Sequence, residues 1–153
     1  MAKVISVKIT DNSEEIIKAC ESQVYEWLQA VGEDASGTAS DKCPVDTGRL
    51  KNSISWATAR GSGGTESPQG TPEAKTVYIG TNVEYAPYHE FGSGEFATKG
   101  SHAKRIPWGF EGKSAKWAGW HSTSGVKARH FIQFGVSAHK SRYKTMLEEY
   151  LKG

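Results

Sequence analysis

The stretch that decides the fold runs from Ile17 to Pro44 and reads IKACESQVYEWLQAVGEDASGTASDKCP. Its apolar and small residues recur in steps of three and four, which is the spacing of one face of an α-helix. The members of this stripe are Ile17, Cys20, Val24, Trp27, Leu28, Val31, Ala35, Ala39 and Cys43. A helix is disfavoured at the residue before a proline, so Pro44 ends the pattern. The sequence therefore predicts one long N-terminal helix with an apolar face.

Two glycines and two cysteines lie along this helix. Gly32 and Gly37 each cost about 1 kcal/mol relative to alanine, so the sequence allows fraying or a kink near Gly32. Cys20 and Cys43 are the only cysteines, and their spacing matches neither a disulfide framework nor a metal knuckle. We expect both thiols to behave as small buried hydrophobic groups on the helix face.

Strand patterns flank the helix on both sides. Residues 4–9 alternate as VISVKI and predict a first strand, followed at residues 11–15 by a capping box for the helix start. Residues 50–58 lead into a second strand, and residues 75–81 (KTVYIGT) predict a third. The glycine-rich and serine-rich residues 60–74 between the last two strands predict a flexible hairpin loop.

Helical and loop patterns fill the rest of the chain. Residues 85–92 (YAPYHEFG) predict one or two helical turns stopped by glycine. Residues 93–126 predict a long flexible loop that contains an aromatic hairpin, WGFEGKSAKWAGW, turning at residues 111–113. Apolar residues from 132 to 151 recur at helical spacing and predict a C-terminal helix.

These elements together predict an α+β fold. An antiparallel sheet packs against the long N-terminal helix and the C-terminal helix, and residues 1–153 form a single domain. No apolar run approaches the roughly 20 residues needed to cross a bilayer. The N-terminal MAKVISVKIT is too short and too mixed for a signal peptide, so we expect a soluble protein made in a cytoplasm.

Charge is distributed unevenly along the chain. Residues 1–91 contain 8 Lys and Arg against 13 Asp and Glu, whereas residues 92–153 contain 11 against 4. We therefore expect one acidic and one basic surface. Such a pair of surfaces favours head-to-tail self-association or contact with a charged partner.

Residues 46–48 read Asp-Thr-Gly, the triplet in which aspartic proteases present their catalytic carboxylate. In that family the triplet lies in a tight loop between strands, and a small residue follows it so that two loops can pack together. Here Arg49 follows, and the predicted long helix precedes. Asp46 is instead expected to cap the turn at Thr47-Gly48 or at Leu50, with Gly48 at positive φ. An aspartic-type maturation protease acting through Asp46 is the remote alternative.

The other chemically active side chains form no recognisable catalytic or metal set. His102, His121, His130 and His139 have no HxxxH spacing and no neighbouring Cys or acidic cluster. His139 falls on the apolar stripe of the last helix and is expected to pack there. Phosphate-loop, dinucleotide and nucleophile-elbow motifs are absent from the sequence, so we expect no enzyme activity, no metal and no cofactor.

The basic and aromatic stretch from Lys99 to Arg129 raises the alternative of nucleic-acid binding, since single strands bind to cations and stackable rings. The competing interpretation is an exposed loop with rings packed on one another and solvated lysines. A steep loss of affinity with added salt would distinguish true binding.

Three segments taken together resemble a known family. They read CPVDTGRLKNSI (residues 43–54), VYIGTNVEYAPYHEFGSG (residues 77–94) and KARHFI (residues 127–132). They are similar to the tail-completion, or head–tail joining, proteins of long-tailed bacteriophages, the HK ninety-seven gene-product-ten type. That family's pattern is a helix ending in P-V-D-T-G-x-L, then a Y-A-x-x-x-E-F-G-T segment, then A-R-P-F-L before a terminal helix.

The resemblance covers most of the chain, from about residue 14 to residue 150, and it includes the insert at residues 107–120. Ser93 stands where threonine is usual. His130 replaces the expected proline, which predicts a less rigid start to the last helix.

The resemblance assigns structural or assembly roles to twelve positions. Pro44, Asp46, Thr47, Gly48 and Leu50 belong to the turn motif, and Gly92 belongs to the second motif. Arg49 and Glu90 are candidates for a charged contact, Tyr85 and Phe91 for packing, and Arg129 and Phe131 for the start of the last helix.

The family likeness also implies a structural role at the virion neck. Such a protein completes the head-proximal end of the tail and joins it to the head connector, as a ring, expected to be hexameric, on the virion. Implied partners are the tail terminator, the tail tube and the connector or head-closure protein. Genomic DNA passes through the lumen without sequence-specific binding, and no membrane is involved. The implied location is the virion, with the host cytoplasm during assembly. The alternative is another neck component, a tail terminator or a head-closure protein.

Overall fold

The computed structural model describes residues 13–45, 48–65, 68, 72–99, 106–110 and 119–152. Helix α1 (Ser13–Lys42) is continuous over 30 residues, as the apolar stripe predicts. Its acidic first turn, Glu14 and Glu15, suits the positive end of the helix dipole. The strand expected at residues 4–9 lies outside the described residues.

The glycines do not interrupt α1, so the helix is not frayed at Gly32. Gly32 lies against the indole of Trp56, where a Cβ atom would meet the Trp56 Cγ at 2.8 Å. The missing side chain therefore allows the sheet to approach the helix closely. Gly37 faces open space, with nothing within 4 Å of a Cβ placed there.

A three-stranded antiparallel sheet follows a short helix, α2 (Arg49–Ser53). Its strands are β1 (Ser55–Thr58), β2 (Gly61–Gly63) and β3 (Val77–Gly80), in the order β2-β1-β3. Trp56 pairs with Gly63 on one side and with Ile79 on the other. The central strand β1 is buried throughout, and α1 covers the face that carries Trp56.

The prediction of a single loop over residues 60–74 is wrong for Gly61–Gly63, which form β2. The Thr58 hydroxyl folds this segment back, because it accepts hydrogen bonds from the N–H groups of Arg60 and Gly61 and donates one to the Gly61 carbonyl. Sequence patterning missed the strand because a run of glycine and serine has no apolar alternation.

The second half of the chain contains helix α3 (Ala86–Phe91), strands β4 (Ile106–Phe110) and β5 (Gly119–Thr123), and helices α4 (Phe131–Ser137) and α5 (Lys140–Lys152). The expected aromatic hairpin is confirmed, since β4 and β5 pair antiparallel. The turn expected at residues 111–113 lies outside the described residues, and the last pair of the hairpin before them is Phe110 with Gly119. The C-terminal helix is divided into two segments, α4 and α5.

Two groups of buried side chains hold these elements together. The first lies at the C-terminal end of α1 and contains Ala39, Cys43, Leu50, Ile54, Val83, Ala86 and Phe131. The second lies where α5 and β3 cross the middle of α1 and contains Val31, Ala35 and Tyr143, with Val77 and Ile79 packed against it. The α+β architecture expected from the sequence is confirmed.

Burial along the apolar stripe is uneven. Leu28, Val31, Ala35 and Ala39 are buried, whereas Ile17 is 58% exposed. Both cysteines were expected to be buried, and this is wrong for Cys20, which is exposed. Cys43 is buried, and that burial raises the pKa of its thiol, an effect that nearby Lys51 opposes and Glu90 reinforces. None of the described helices is both long and apolar enough to cross a membrane.

Candidate functional site

The three motif segments, although far apart in sequence, meet at the C-terminal end of α1. Cys43 and Leu50 from the first motif, Ala86 from the second and Phe131 from the third belong to one buried cluster. Tyr85 packs against the same cluster, and Phe131 is fully buried. Tyr85, predicted to pack, and Phe131, predicted for the start of the last helix, therefore meet at one buried cluster.

The first motif turns at Gly48, whose φ of 78° is left-handed, as expected for a glycine at this position. Its carbonyl accepts a hydrogen bond from the N–H of Asn52 at 2.9 Å, which opens α2. Asp46 and Thr47 lie outside the described residues, so the capping role of Asp46 stays a prediction. Helices lie on both sides of this turn, whereas the protease triplet lies between strands.

Glu90 joins the second motif to the third. Its side chain is buried, and its two carboxylate oxygens accept hydrogen bonds from the N–H groups of Ile132 and Gln133 at 2.9 and 3.0 Å. Both donors lie in the first turn of α4 and have no partner within that helix, so the carboxylate caps α4 from another element. The backbone adds a bond from the His130 N–H to the Glu90 carbonyl.

This capping role was missed by sequence reasoning, which paired Glu90 with Arg49 instead. Capping signals are recognised over three residues of local sequence, and Glu90 lies 42 residues from Ile132. The charged contact with Arg49 stays a prediction. Burial of Glu90 leaves its carboxylate little surface for contact with another copy of the chain.

The start of α4 has an unusual backbone conformation. His130 precedes the helix at φ 48° and ψ 38°, in the left-handed region. Proline could not adopt this conformation, because its ring fixes φ near −65°. The family pattern has proline at this position. Because this chain has histidine instead, the start of α4 can adopt the left-handed backbone that proline would exclude. Arg129 beside it is exposed, and its N–H donates to the His89 carbonyl at 2.8 Å.

Phe91 and Gly92 fix the segment that follows α3. The Phe91 carbonyl accepts hydrogen bonds from both the N–H and the hydroxyl of Thr98. Gly92 ends α3 at φ 76°, and a Cβ atom there would lie 2.3 Å from the Phe96 carbonyl oxygen. Both the left-handed backbone and this close approach require glycine.

The first two motifs border an open cleft of about 620 Å³. Its lining residues are Pro44, Val45, Gly48, Arg49, Leu50, Tyr85 and His89. Val45 is 63% exposed at this cleft, and Tyr88 on the adjacent helix α3 is 58% exposed. Large apolar side chains left in solvent beside a cleft are typical of a surface that contacts another protein.

A polar cluster links α1 to α5 on another part of the surface. The carboxylate of Asp34 accepts hydrogen bonds from His139 Nδ1 at 2.6 Å and from the Tyr143 hydroxyl at 2.8 Å, and Arg142 lies 3.9 Å away. Trp27 donates its indole N–H to the Tyr143 carbonyl. His139, expected to pack on the apolar stripe, is only partly buried and makes an edge contact with Tyr143. An acidic residue from the first part of the sequence, Asp34, thus contacts a basic residue from the last part, Arg142, within one chain.

This cluster sets the ionisation of its members. Burial acts to raise the pKa of Asp34, but hydrogen bonds from His139 and Tyr143 and the nearby positive charges outweigh it, so the pKa lies below its usual value of 3.8. Burial and the hydrogen bond to Asp34 both raise the pKa of Tyr143. Asp34 is therefore held as a carboxylate and Tyr143 as a neutral donor.

Comparison with known protein families identifies the family of this chain. A family model described as "Bacteriophage HK97-gp10, putative tail-component" matches residues 8–92, more than half of the chain. The chain belongs to the HK97-gp10-like family. Comparison with curated proteins gave no match, and neither did comparison with solved structures.

Membership in the HK97-gp10-like family indicates a bacteriophage tail component that acts in the virion with other tail proteins. The matched range contains α1, the Gly48 turn, the three-stranded sheet and α3, and it ends at Gly92. It therefore includes both walls of the cleft. The third motif lies beyond the match and is joined to it by Glu90.

The described part of this HK97-gp10-like protein contains no group of three or more His, Cys, Asp or Glu side chains placed to hold a metal ion. Its main feature at the motif segments is a surface cleft supported by a buried cluster. Such a surface suits protein contact.

Proposed function

We propose that this protein is a structural assembly protein of the phage neck, which completes the head-proximal end of the tail and joins it to the head connector. Family membership supports a role as a tail component. The likeness of the three motifs to tail-completion proteins supports a position at the neck. The observation that carries the proposal is the cleft, because two motif segments distant in sequence are packed together to form one open surface.

The proposed assembly is a ring, of six copies, placed around the DNA channel. Neighbouring copies, the tail terminator, the tail tube and the connector or head-closure protein are the proposed partners. Contacts between an acidic and a basic surface would suit a closed ring in which each copy meets the next head to tail. DNA then passes through the lumen without sequence-specific contact.

Deletion of the gene from a producing phage tests the function directly. The expected result by electron microscopy is filled heads and finished tails that fail to join. Tails of uncontrolled length would instead assign the protein as a tail terminator, and heads emptied of DNA would assign it to head closure. Normal infectious particles would refute a neck role altogether.

Complementation of that deletion with point variants tests the cleft. Val45→Asp places a charge on an exposed apolar position in the cleft, so it should leave the fold intact and prevent joining of heads to tails. Leu151→Asp, at an apolar position on α5 that is 47% exposed, is the matched control and should complement normally. If both variants restored infectious particles equally well, the cleft would not be the contact surface.

Two further variants separate the alternatives. Charge reversal at Arg129, which is exposed, should reduce joining if the ring depends on opposite charges. Asp46→Asn should complement fully, because the proposed role does not depend on an acid at that position. Loss of a proteolytic maturation step in the Asp46→Asn phage would favour the protease instead.

A further inference from the structure

The start of helix α1 presents an apolar surface to solvent. Ile16 and Ile17 are 61% and 58% exposed, and Ile17 belongs to the apolar stripe whose later members, such as Ala35, are buried. Cys20, about one turn further on, is also exposed. Neighbouring large apolar side chains left in solvent are typical of a surface that contacts another protein. The stripe therefore extends beyond the described elements that cover its later part.

Acidic side chains accompany these isoleucines. Glu14 and Glu15 lie in the first turn of α1 and are exposed. Glu14 shares a side of the helix with Ile17, three residues later. Lys18 is the only basic side chain in the first two turns of α1, so these turns carry a net negative charge. Residues 14–17, here called the helix-start surface, therefore combine apolar and acidic side chains.

The cleft between the first two motifs, here called the motif cleft, offers the complementary chemistry. Val45 and Tyr85 contribute apolar side chains to its lining, and Val45 is 63% exposed. Arg49 contributes an exposed positive charge. No acidic side chain belongs to the described part of this lining, and the nearby carboxylate of Glu90 is bonded to α4 instead. A segment that fits the motif cleft should carry bulky apolar side chains beside a carboxylate.

We propose that the helix-start surface of one copy of this chain occupies the motif cleft of a second copy. The two isoleucines lie against Val45 and Tyr85, and the two glutamates face Arg49. The apolar side chains supply most of the contact, whereas the charges fix its direction. The proposal rests on the ring proposed above, because it names the surfaces through which neighbouring copies meet.

The positions of the two surfaces along α1 determine the kind of contact. They lie at opposite ends of a helix of 30 residues, which is about 45 Å long at 1.5 Å per residue. Because this helix is continuous, the start of α1 cannot reach the motif cleft of its own chain. A contact between two different surfaces is head to tail, and such contacts close into a ring when the rotation between copies permits it.

Charge also disfavours pairing about a twofold axis. Such pairing would place the helix-start surface against itself, with glutamates facing glutamates, or one Arg49 against another. Like charges placed together across an interface oppose association. Head-to-tail contact instead places each negative surface beside a positive one.

Cross-linking of the isolated full-length protein tests this contact. In a Cys20→Ser background, one preparation carries Ile17→Cys and another carries Val45→Cys, while Cys43 is buried and is left in place. A short bis-maleimide is added to a mixture of the two at about 100 µM, where even a weak contact is populated. We expect a covalent dimer from the mixture and none from either preparation alone. The variant with both cysteines should give a ladder of oligomers.

Gln29→Cys replaces Ile17→Cys in the matched control, because Gln29 is an exposed, neutral position about 18 Å further along α1. The control mixture should give at least about tenfold less dimer. Equal amounts of dimer from both mixtures would indicate random collision and overturn the proposal. Dimer from Ile17→Cys alone would indicate twofold pairing and overturn it, and so would the absence of any cross-linked product.

Charge reversal tests the direction of the contact. Glu14→Lys combined with Glu15→Lys in the Ile17→Cys copy should reduce the dimer about tenfold, and Arg49→Glu in the Val45→Cys copy should do the same. Mixing the two reversed copies should restore most of the dimer. All three reversed positions are exposed, so the variants are expected to fold. Failure of the reversed pair to restore the dimer would overturn the assigned contact.

The outcome of cross-linking is separable from that of gene deletion. A ladder of oligomers together with normal particles after deletion would retain the contact between copies and remove the neck role. Monomers alone, together with heads and tails that fail to join, would retain the neck role and overturn this contact.

Discussion

Residues 13–20 and 28–42 belong to the same helix and carry the same apolar period, but they have different environments. Ile16 and Ile17 are 61% and 58% exposed, whereas Ala35 and Ala39 are fully buried. The spacing of apolar residues determines which side of a helix can be buried. Whether that side is buried depends on the elements that the rest of the chain places against it.

Residues 28–42 of α1 are covered because small residues let other elements approach the helix closely. A Cβ atom at Gly135 of α4 would lie 2.6 Å from both the Ala35 carbonyl oxygen and the Ala39 Cβ, so the two helices are in near-backbone contact. Gly32 likewise receives the Trp56 indole. Isoleucines at the start of α1 have no comparable neighbour among the described residues.

The largest expected effect comes from removing the side chain that holds α4 against the end of α1. Phe131 is fully buried in the motif cluster, so Phe131→Ala should lower the free energy of unfolding by about 3–5 kcal/mol. Ile17→Ala, on the exposed segment, should change it by no more than about 0.5 kcal/mol. Urea unfolding of the isolated protein measures both, and comparable losses would contradict the difference between the two segments.

Removal of the cap on α4 should have the next largest effect. Glu90→Ala leaves the Ile132 and Gln133 N–H groups without their acceptor, and we expect a loss of about 1.5–3 kcal/mol. Glu90→Gln retains one oxygen acceptor and should lose less. Hydrogen exchange should show faster opening of α4 in Glu90→Ala, and unchanged exchange there would rule out the capping role.

Two glycines of α1 offer a comparison within one helix. Gly32→Ala forces a Cβ against Trp56 and should destabilise the protein by about 1–3 kcal/mol. Gly37→Ala meets nothing within 4 Å and should stabilise it by about 0.5–1 kcal/mol through helix propensity. Thermal unfolding distinguishes the signs, and a shift in the same direction for both would show that the indole contact is unimportant.

The smallest effect concerns the pH dependence of the α1–α5 contact. The pKa of Asp34 is lowered in the folded protein, so its contribution to stability is complete above the usual value of 3.8 and is lost as pH falls through the lower folded pKa. Asp34→Asn should cost about 1 kcal/mol at neutral pH. It should also flatten the fall in stability in the acid range, as urea midpoints at constant ionic strength would show. An unchanged acid profile would mean that other carboxylates dominate.

Local patterns predicted much of this molecule. The long helix, the strand at residues 77–80, the short helix ended by Gly92 and the aromatic hairpin each follow from period, turn chemistry or breaker residues within a short window. The positive φ of Gly48 follows in the same way. Strand β2 did not, because its glycines and serine have no pattern, and the Thr58 hydroxyl that folds it back acts through tertiary geometry.

Sequence reasoning singled out part of the candidate site but not Val45 or His89 of the cleft, and not its arrangement. Sequence identified Tyr85, Glu90 and Phe131, and the family match includes the first two. Nothing in the sequence showed that Glu90 caps α4, since the capping pair is separated by 42 residues.

By itself, the sequence determined the family, the order of elements and the face of α1 that can pack, because these depend on local spacing and on motif order. Only the tertiary structure decided which part of that face is buried, that three distant motifs share one cluster, and that a carboxylate in α3 fixes the start of α4. Those features depend on free energies of contact between segments far apart in the chain. Such contacts form only where close packing and hydrogen-bond geometry are satisfied together, which the linear order of residues does not specify.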